Sequence, residues 1–95
     1  MSSYVMVTAD FPGVNADNRA KIYECLKAEK WKKITEPGRD IDTVWYASFE
    51  ADVKEEDAIK ISINDFVKCS KTYCQVKLVI HWGPHKPYLS WFGLV

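Results

Sequence analysis

The chain has 95 residues, enough for one domain and too few for two separately packed cores. Hydrophobic residues make up 47% and aromatic residues 14%, which excludes disorder over most of the chain. The 13 Lys and Arg balance the 13 Asp and Glu, so there is no general electrostatic attraction to nucleic acid or to an anionic membrane, and any such binding requires a local patch.

The first half of the chain predicts a strand, a helix and a hairpin. Residues 4–11 alternate between apolar and more polar side chains, as in a strand with one apolar face, and Pro12-Gly13 ends it. The stretch from Asn15 to Lys30 predicts a helix with Asn15 as its cap. Residues 31–35 and 43–49 are rich in β-formers and flank a strong turn, so they predict a hairpin.

The second half predicts a helix and two more strands. Asp52 stands three residues before Glu55, the spacing of a capping box, which places the start of the helix there. Residues 75–82 alternate again and predict a fourth strand. Two prolines interrupt residues 83–87, and residues 88–92 predict a fifth, terminal strand. The expected buried stripe of the second helix is Ile59, Ile63, Phe66 and Val67.

This order predicts a single α+β domain over residues 1–95. The fold class is a ferredoxin-like βαββαβ antiparallel sheet, with two helices on one face and an extra C-terminal strand. The first and third strands then lie at the centre, and the opposite, open face is the expected place for function. That face should show Tyr4, Met6 and Thr8 beside Val44, Tyr46 and Ser48, flanked by Lys77 and His81.

The cysteines and the N-terminal residues bear on location. Cys25, Cys69 and Cys74 form an odd number with no C-x-x-C motif, so we expect small reduced cysteines rather than a disulfide or a zinc site. The opening residues lack the pattern of a secretory signal, and no apolar window reaches the length of a membrane helix. The sequence therefore predicts a cytoplasmic protein with no membrane partner and no DNA partner.

Two tyrosines are the first candidates for RNA binding. Tyr4 and Tyr46 occupy the open face, where RNA-recognition folds of this topology carry aromatic side chains that stack on bases. An equally weighted alternative is that the terminal strand or a second subunit covers them. A local positive cluster consists of Lys27, Lys30, Lys32 and Lys33, with Arg39 across the hairpin. It could bind phosphates, although a lysine-rich helix end is also what the helix dipole favours. Lys32, Lys33 and Arg39 are the candidate RNA-binding residues of this cluster.

Asp10, His81, His85 and Lys86 are the candidate catalytic residues. The two histidines and the lysine supply a base, an acid and a cation, which a metal-free ribonuclease needs, and Asp10 ends the first strand. The simpler interpretation gives His81 and His85 no catalytic part and makes Asp10 a turn acceptor before Pro12-Gly13. No metal ligand set and no cofactor are predicted.

The segment from Tyr4 to Pro12, Tyr-Val-Met-Val-Thr-Ala-Asp-Phe-Pro, resembles the opening of the GhoS antitoxin family. That opening has Tyr-Val-Val and Asp-aromatic-Pro, and this chain has one extra residue between the two parts. The predicted elements follow in a similar order over residues 4–82. The resemblance implies a small cytoplasmic endoribonuclease that silences a membrane toxin by cleaving its messenger, on the ferredoxin-like fold shared with the small CRISPR adaptation nucleases. Asp10 is the residue that it carries over by position.

The sequence thus predicts a GhoS-like antitoxin that cleaves or binds single-stranded RNA. The alternative is a non-enzymatic protein-binding module, a phage or host regulatory factor that uses the open face and the C-terminal strand. Residues 88–95 include five large apolar side chains that need cover, which slightly favours a homodimer through this strand.

Overall fold

The architecture comes from a computed structural model, which describes residues 3–36 and 39–84. Within these ranges, no helix is long and apolar enough to cross a membrane. The predicted terminal strand, and with it His85 and Lys86, lies outside the described residues. In chain order the elements are β1 (Ser3–Asp10), α1 (Ala16–Ala28), β2 (Lys32–Glu36), β3 (Arg39–Phe49), α2 (Glu55–Ser70) and β4 (Lys77–Gly83).

The four strands form one antiparallel sheet in the order β2-β3-β1-β4. The α+β class is therefore confirmed, and so is the central position of β1 and β3. The predicted residues of the open face also lie side by side, because Tyr4 is opposite Ser48, Met6 opposite Tyr46 and Thr8 opposite Val44. Side chains alternate along β1, so Val5, Val7 and Ala9 face the core, whereas Tyr4, Met6 and Thr8 face the opposite side.

The core lies between the sheet and the two helices. Val5 and Val7 on β1 and Trp45 on β3 are completely buried on this side. The Trp45 ring meets Tyr23 edge to face at 5.1 Å and Phe66 at 6.4 Å between ring centroids. Aromatic pairs in this geometry add stability beyond the area that they bury. The helix-covered face is therefore the stabilising side of the sheet.

Helix α1 begins with the predicted cap, and the residue that follows its end has an unusual backbone conformation. Asn15 is its N-cap, and the Asn18 backbone N–H donates to Asn15 Oδ1 at 2.8 Å. Lys30 follows the helix with a φ of 70°, in the left-handed region where glycine is normally found after a helix. Trp31 comes next and is buried, with its indole N–H donating to the Asp65 carboxylate at 3.0 Å.

The predicted capping box and most of the predicted stripe of α2 are wrong. The helix begins at Glu55 with Lys54 as N-cap, and no side chain caps it. Ile63 and Val67 are each 40% exposed, and of the four predicted residues only Phe66 is fully buried. Ser62 and Ser70 are buried because their hydroxyls donate to the carbonyls four residues earlier, which satisfies both polar groups. Polar residues therefore occupy positions that the sequence pattern assigns to the surface.

The prediction that all cysteines are reduced is also wrong. Cys25 on α1 and Cys69 on α2 form a disulfide, with a Cα–Cα distance of 5.6 Å, and Cys74 is a free thiol. An odd number of cysteines does not prevent one pair from forming when two helices bring their side chains together. Beside the disulfide, Lys68 forms an ion pair with Glu29. The C-terminal end of α1 is therefore tied to α2 both covalently and electrostatically.

Candidate nucleic-acid interface

The open face is the side of the sheet opposite the two helices. One row of side chains crosses all four strands on this face and spans about 14 Å, three interstrand spacings. The row consists of Lys32 on β2, Tyr46 on β3, Met6 on β1 and His81 on β4. It combines a cation, an aromatic ring, a thioether and an imidazole on an extended surface.

Tyr4 and Tyr46 are diagonal neighbours on the two central strands. Tyr46 lies opposite Met6, and Tyr4 lies two residues earlier in β1, so their Cα atoms are about 7–8 Å apart. Both tyrosines are half-buried, which leaves part of each ring accessible. Gly83 lies opposite Tyr4 on β4 and presents no side chain against it. The pair therefore forms an aromatic platform in the middle of the sheet.

A cavity of about 170 Å³ adjoins this platform on the β2 side. Its lining joins both tyrosines to two lysines and the Ser48 hydroxyl, and consists of Tyr4, Lys30, Lys32, Tyr46, Ala47 and Ser48. Lys30 and Lys32 are exposed. Hydroxyl donors and ammonium groups of this kind suit an anionic group rather than a cation. The structure thus places a positive edge directly beside the aromatic surface.

Of the other two candidate RNA-binding cations, Lys33 is not part of this surface. Lys33 lies opposite Trp45, on the helix side of the sheet, and its ammonium group sits 5.0 Å from the centre of the Tyr23 ring. Adjacent residues in a strand face opposite sides, so the predicted cluster is divided between Lys32 and Lys33. Arg39 begins β3 opposite Glu36, and its side chain lies outside the described part of the structure.

Asp10 lies at the far end of the open face. It is exposed and stands opposite Lys77 on β4, beside a cavity of about 310 Å³ between the two strands. Cys74 is nearby: burial raises the pKa of its thiol, and the negative charge of Asp10 raises that pKa further. This end of the face therefore holds a carboxylate and an ammonium group, and the Cys74 thiol near the carboxylate packs against the core.

The described catalytic candidates do not form one centre. His81 lies opposite Met6, whereas Asp10 lies four residues further along β1, a separation of about 13 Å. A general acid and a general base must both reach the same reacting group within hydrogen-bond distance. Among the described residues, no three His, Cys, Asp or Glu side chains are grouped so as to hold a metal ion. Asp10 and His81 are therefore too far apart to serve as an acid and a base on the same reacting group.

Lys30 belongs to the predicted positive cluster, but the sequence does not distinguish it as an RNA-binding candidate. Composition makes it one lysine among several, and only its left-handed backbone and its place in the cavity set it apart. One signal was present, because a lysine occupies the position after a helix where glycine is preferred.

Comparison with models of known protein families, with characterised proteins and with solved structures finds no match to this chain. The functional argument therefore rests on the geometry of the open face.

Proposed function

We propose that the protein binds single-stranded RNA on the open face of its sheet. The observation that carries the proposal is the platform of Tyr4 and Tyr46, with Lys32 directly opposite Tyr46 on β2. Single-stranded RNA exposes base faces that stack on aromatic rings, and its backbone seeks positive charge beside them. A duplex hides its base faces, so an aromatic platform on a flat sheet favours single strands.

The arrangement of elements supports a ferredoxin-like fold and, through it, the GhoS-like hypothesis. The element order is βαββαβ, both helices pack on one face, and β1 and β3 are central. Under this hypothesis the protein is an antitoxin in the cytoplasm that acts on the messenger of a toxin. Disulfides are rare in that compartment, so the Cys25–Cys69 pair is the feature that fits the cytoplasm least.

RNA cleavage is the further step that the resemblance implies, with Asp10 as the residue carried over. Purified protein incubated with labelled single-stranded RNA, with and without EDTA, tests it. Specific fragments that disappear in Asp10→Ala support an endoribonuclease. Intact RNA, or equal cleavage by wild type and by Asp10→Ala with His81→Ala, contradicts cleavage and leaves RNA binding as the function.

Replacement of Tyr46 by alanine tests the binding proposal. Stacking on an aromatic ring contributes about 1–3 kcal/mol per base, so Tyr46→Ala should weaken binding about 5- to 150-fold. Fluorescence anisotropy with a labelled single-stranded RNA of mixed sequence measures this change. Tyr73→Ala is the matched control, because Tyr73 is an exposed tyrosine in the turn after α2. Equal affinities of wild type and Tyr46→Ala, with a normal melting curve, would return Tyr46 to a packing role.

A second candidate is a protein-binding module that pairs with a second copy of this chain. Leu78, Ile80 and Trp82 face the helices from β4 yet are only half-buried, because β4 is an edge strand within the described residues. The apolar residues 88–95 of a second copy could cover this edge by strand pairing. Light scattering of the full chain beside one truncated after Lys86 decides it. A full-length monomer at tens of micromolar rules the dimer out, whereas a dimer that dissociates or aggregates on truncation supports it.

A further inference from the structure

Lys30 adopts a backbone conformation that its residue type disfavours. Its φ of 70° is the only positive value at a non-glycine residue in ranges 3–36 and 39–84. A side chain in the left-handed region costs energy that glycine avoids, and such residues concentrate at ligand sites. The backbone N–H groups of Lys30 and Trp31 donate to the carbonyls of Lys27 and Leu26, both at 2.9 Å, so this left-handed residue closes the helix. Glycine would do so at lower cost, and a lysine at this position adds a positive charge at the end of α1.

Lys30 also lines the cavity beside the platform. Lys30 and Lys32 line it from the β2 side, and Tyr4, Tyr46 and Ser48 line it from the central strands. The neighbouring acidic residue, Glu29, forms an ion pair with Lys68 on α2. Its negative charge is therefore balanced by Lys68 rather than by Lys30 or Lys32. Two lysines, two tyrosines and Ser48 thus line one concave space of about 170 Å³.

We propose that this cavity holds one phosphate group of the RNA strand, with Lys30 and Lys32 as its cationic ligands. The proposal rests on RNA binding by the open face and adds to it a defined backbone contact. Bases stacked on Tyr4 and Tyr46 would place the intervening backbone beside the two lysines, because single-strand sites combine stacking rings with a positive groove that follows the phosphates. Lys30 is then a binding residue, and its position after α1 determines where the RNA strand first contacts the open face.

The substitution Lys30→Gly separates binding from stability. Glycine relieves the left-handed conformation, so the variant should melt at the same temperature as wild type or a few degrees higher. Its affinity for the labelled single-stranded RNA should nevertheless fall about fivefold at low salt, as expected for an exposed charge pair. The slope of log K against log salt should become shallower by about 0.7, the value for one phosphate contact in a single strand.

Two control variants make the result specific. Lys27→Ala removes one charge from the exposed last turn of α1, outside the cavity lining, and should leave affinity and salt slope close to wild type. Lys30→Arg keeps the charge and should retain most of the affinity. A loss in Lys30→Gly that Lys27→Ala does not share supports the phosphate site.

The remaining outcomes overturn the proposal in distinguishable ways. Equal losses in Lys30→Gly and Lys27→Ala mean that general charge, and not this cavity, attracts the RNA. Full affinity of Lys30→Gly, together with weakened binding by Tyr46→Ala, excludes the phosphate site and leaves RNA binding on the platform intact. Wild-type protein that binds no single-stranded RNA overturns the phosphate site and the proposed function together.

Discussion

The two faces of the sheet differ in how deeply they bury residues that are adjacent in sequence. Trp45 is completely buried among rings from both helices, whereas Tyr46, the next residue, lies half-buried on the open face. Two valines show the same contrast: Val7 on the helix-covered face is completely buried, whereas Val79 on the open face is 69% exposed. Monomeric proteins rarely leave a large apolar surface uncovered unless it binds something. The comparison therefore assigns stability to the helix-covered face and leaves the open face as the proposed site of recognition.

The largest expected effect is the loss of stability on the helix-covered face. Trp45→Ala should lower the free energy of unfolding by about 3–5 kcal/mol, because a buried aromatic side chain leaves a cavity that neighbours fill only in part. Urea unfolding followed by circular dichroism measures it. Tyr46→Ala should cost less than half as much, and equal costs would break the distinction between the faces. Trp45→Phe supplies a milder version if the alanine variant does not fold.

The disulfide should have the next largest effect, again on the helical side. It joins residues 44 apart in sequence, and closing such a loop in the unfolded chain is worth about 4 kcal/mol in the entropic model and typically 2–4 kcal/mol. Urea midpoints of the wild type should therefore fall on addition of dithiothreitol. The double variant Cys25→Ser with Cys69→Ser should show the lower midpoint with or without reductant. An unchanged wild-type midpoint would show that the pair contributes nothing to stability.

The smallest effect concerns the free thiol at the Asp10 end of the sheet. Burial is the main cause of the raised pKa of Cys74, and the charge of Asp10 adds to it. A raised pKa keeps the thiol protonated and slow to react, since the thiolate is the nucleophile. Asp10→Asn should lower this pKa, and iodoacetamide should then alkylate Cys74 faster at a fixed pH near 8. An equal or slower rate would show that the carboxylate does not act on Cys74.

The open face could be predicted from the sequence, because it depends on local alternation. Period-two patterns in residues 4–11 and 43–49 fix which side chains share a face, and antiparallel pairing of central strands then aligns Tyr4 and Tyr46 diagonally. The Asn15 cap is equally local. Predictions of this kind succeed because backbone geometry, and not distant packing, determines them.

The features that escaped prediction depend on contacts between distant residues or on backbone conformation. The disulfide requires two helices to bring Cys25 and Cys69 together. Burial of Ser62 on α2 is permitted by a hydrogen bond to its own helix, which hydrophobic patterning does not register. Lys30 reaches the cavity through a left-handed backbone conformation, which lysine rarely adopts and which a sequence pattern therefore does not predict.

The central claim is that the open face, and not the helical side, contacts RNA. Backbone amide NMR spectra of the labelled protein, recorded during titration with single-stranded RNA, test it most directly. The account predicts the largest shift changes on β1 and β3 around Met6 and Tyr46 and at the start of β2 around Lys32. Shifts confined to α1 and α2, or a spectrum that saturating RNA leaves unchanged, would contradict it.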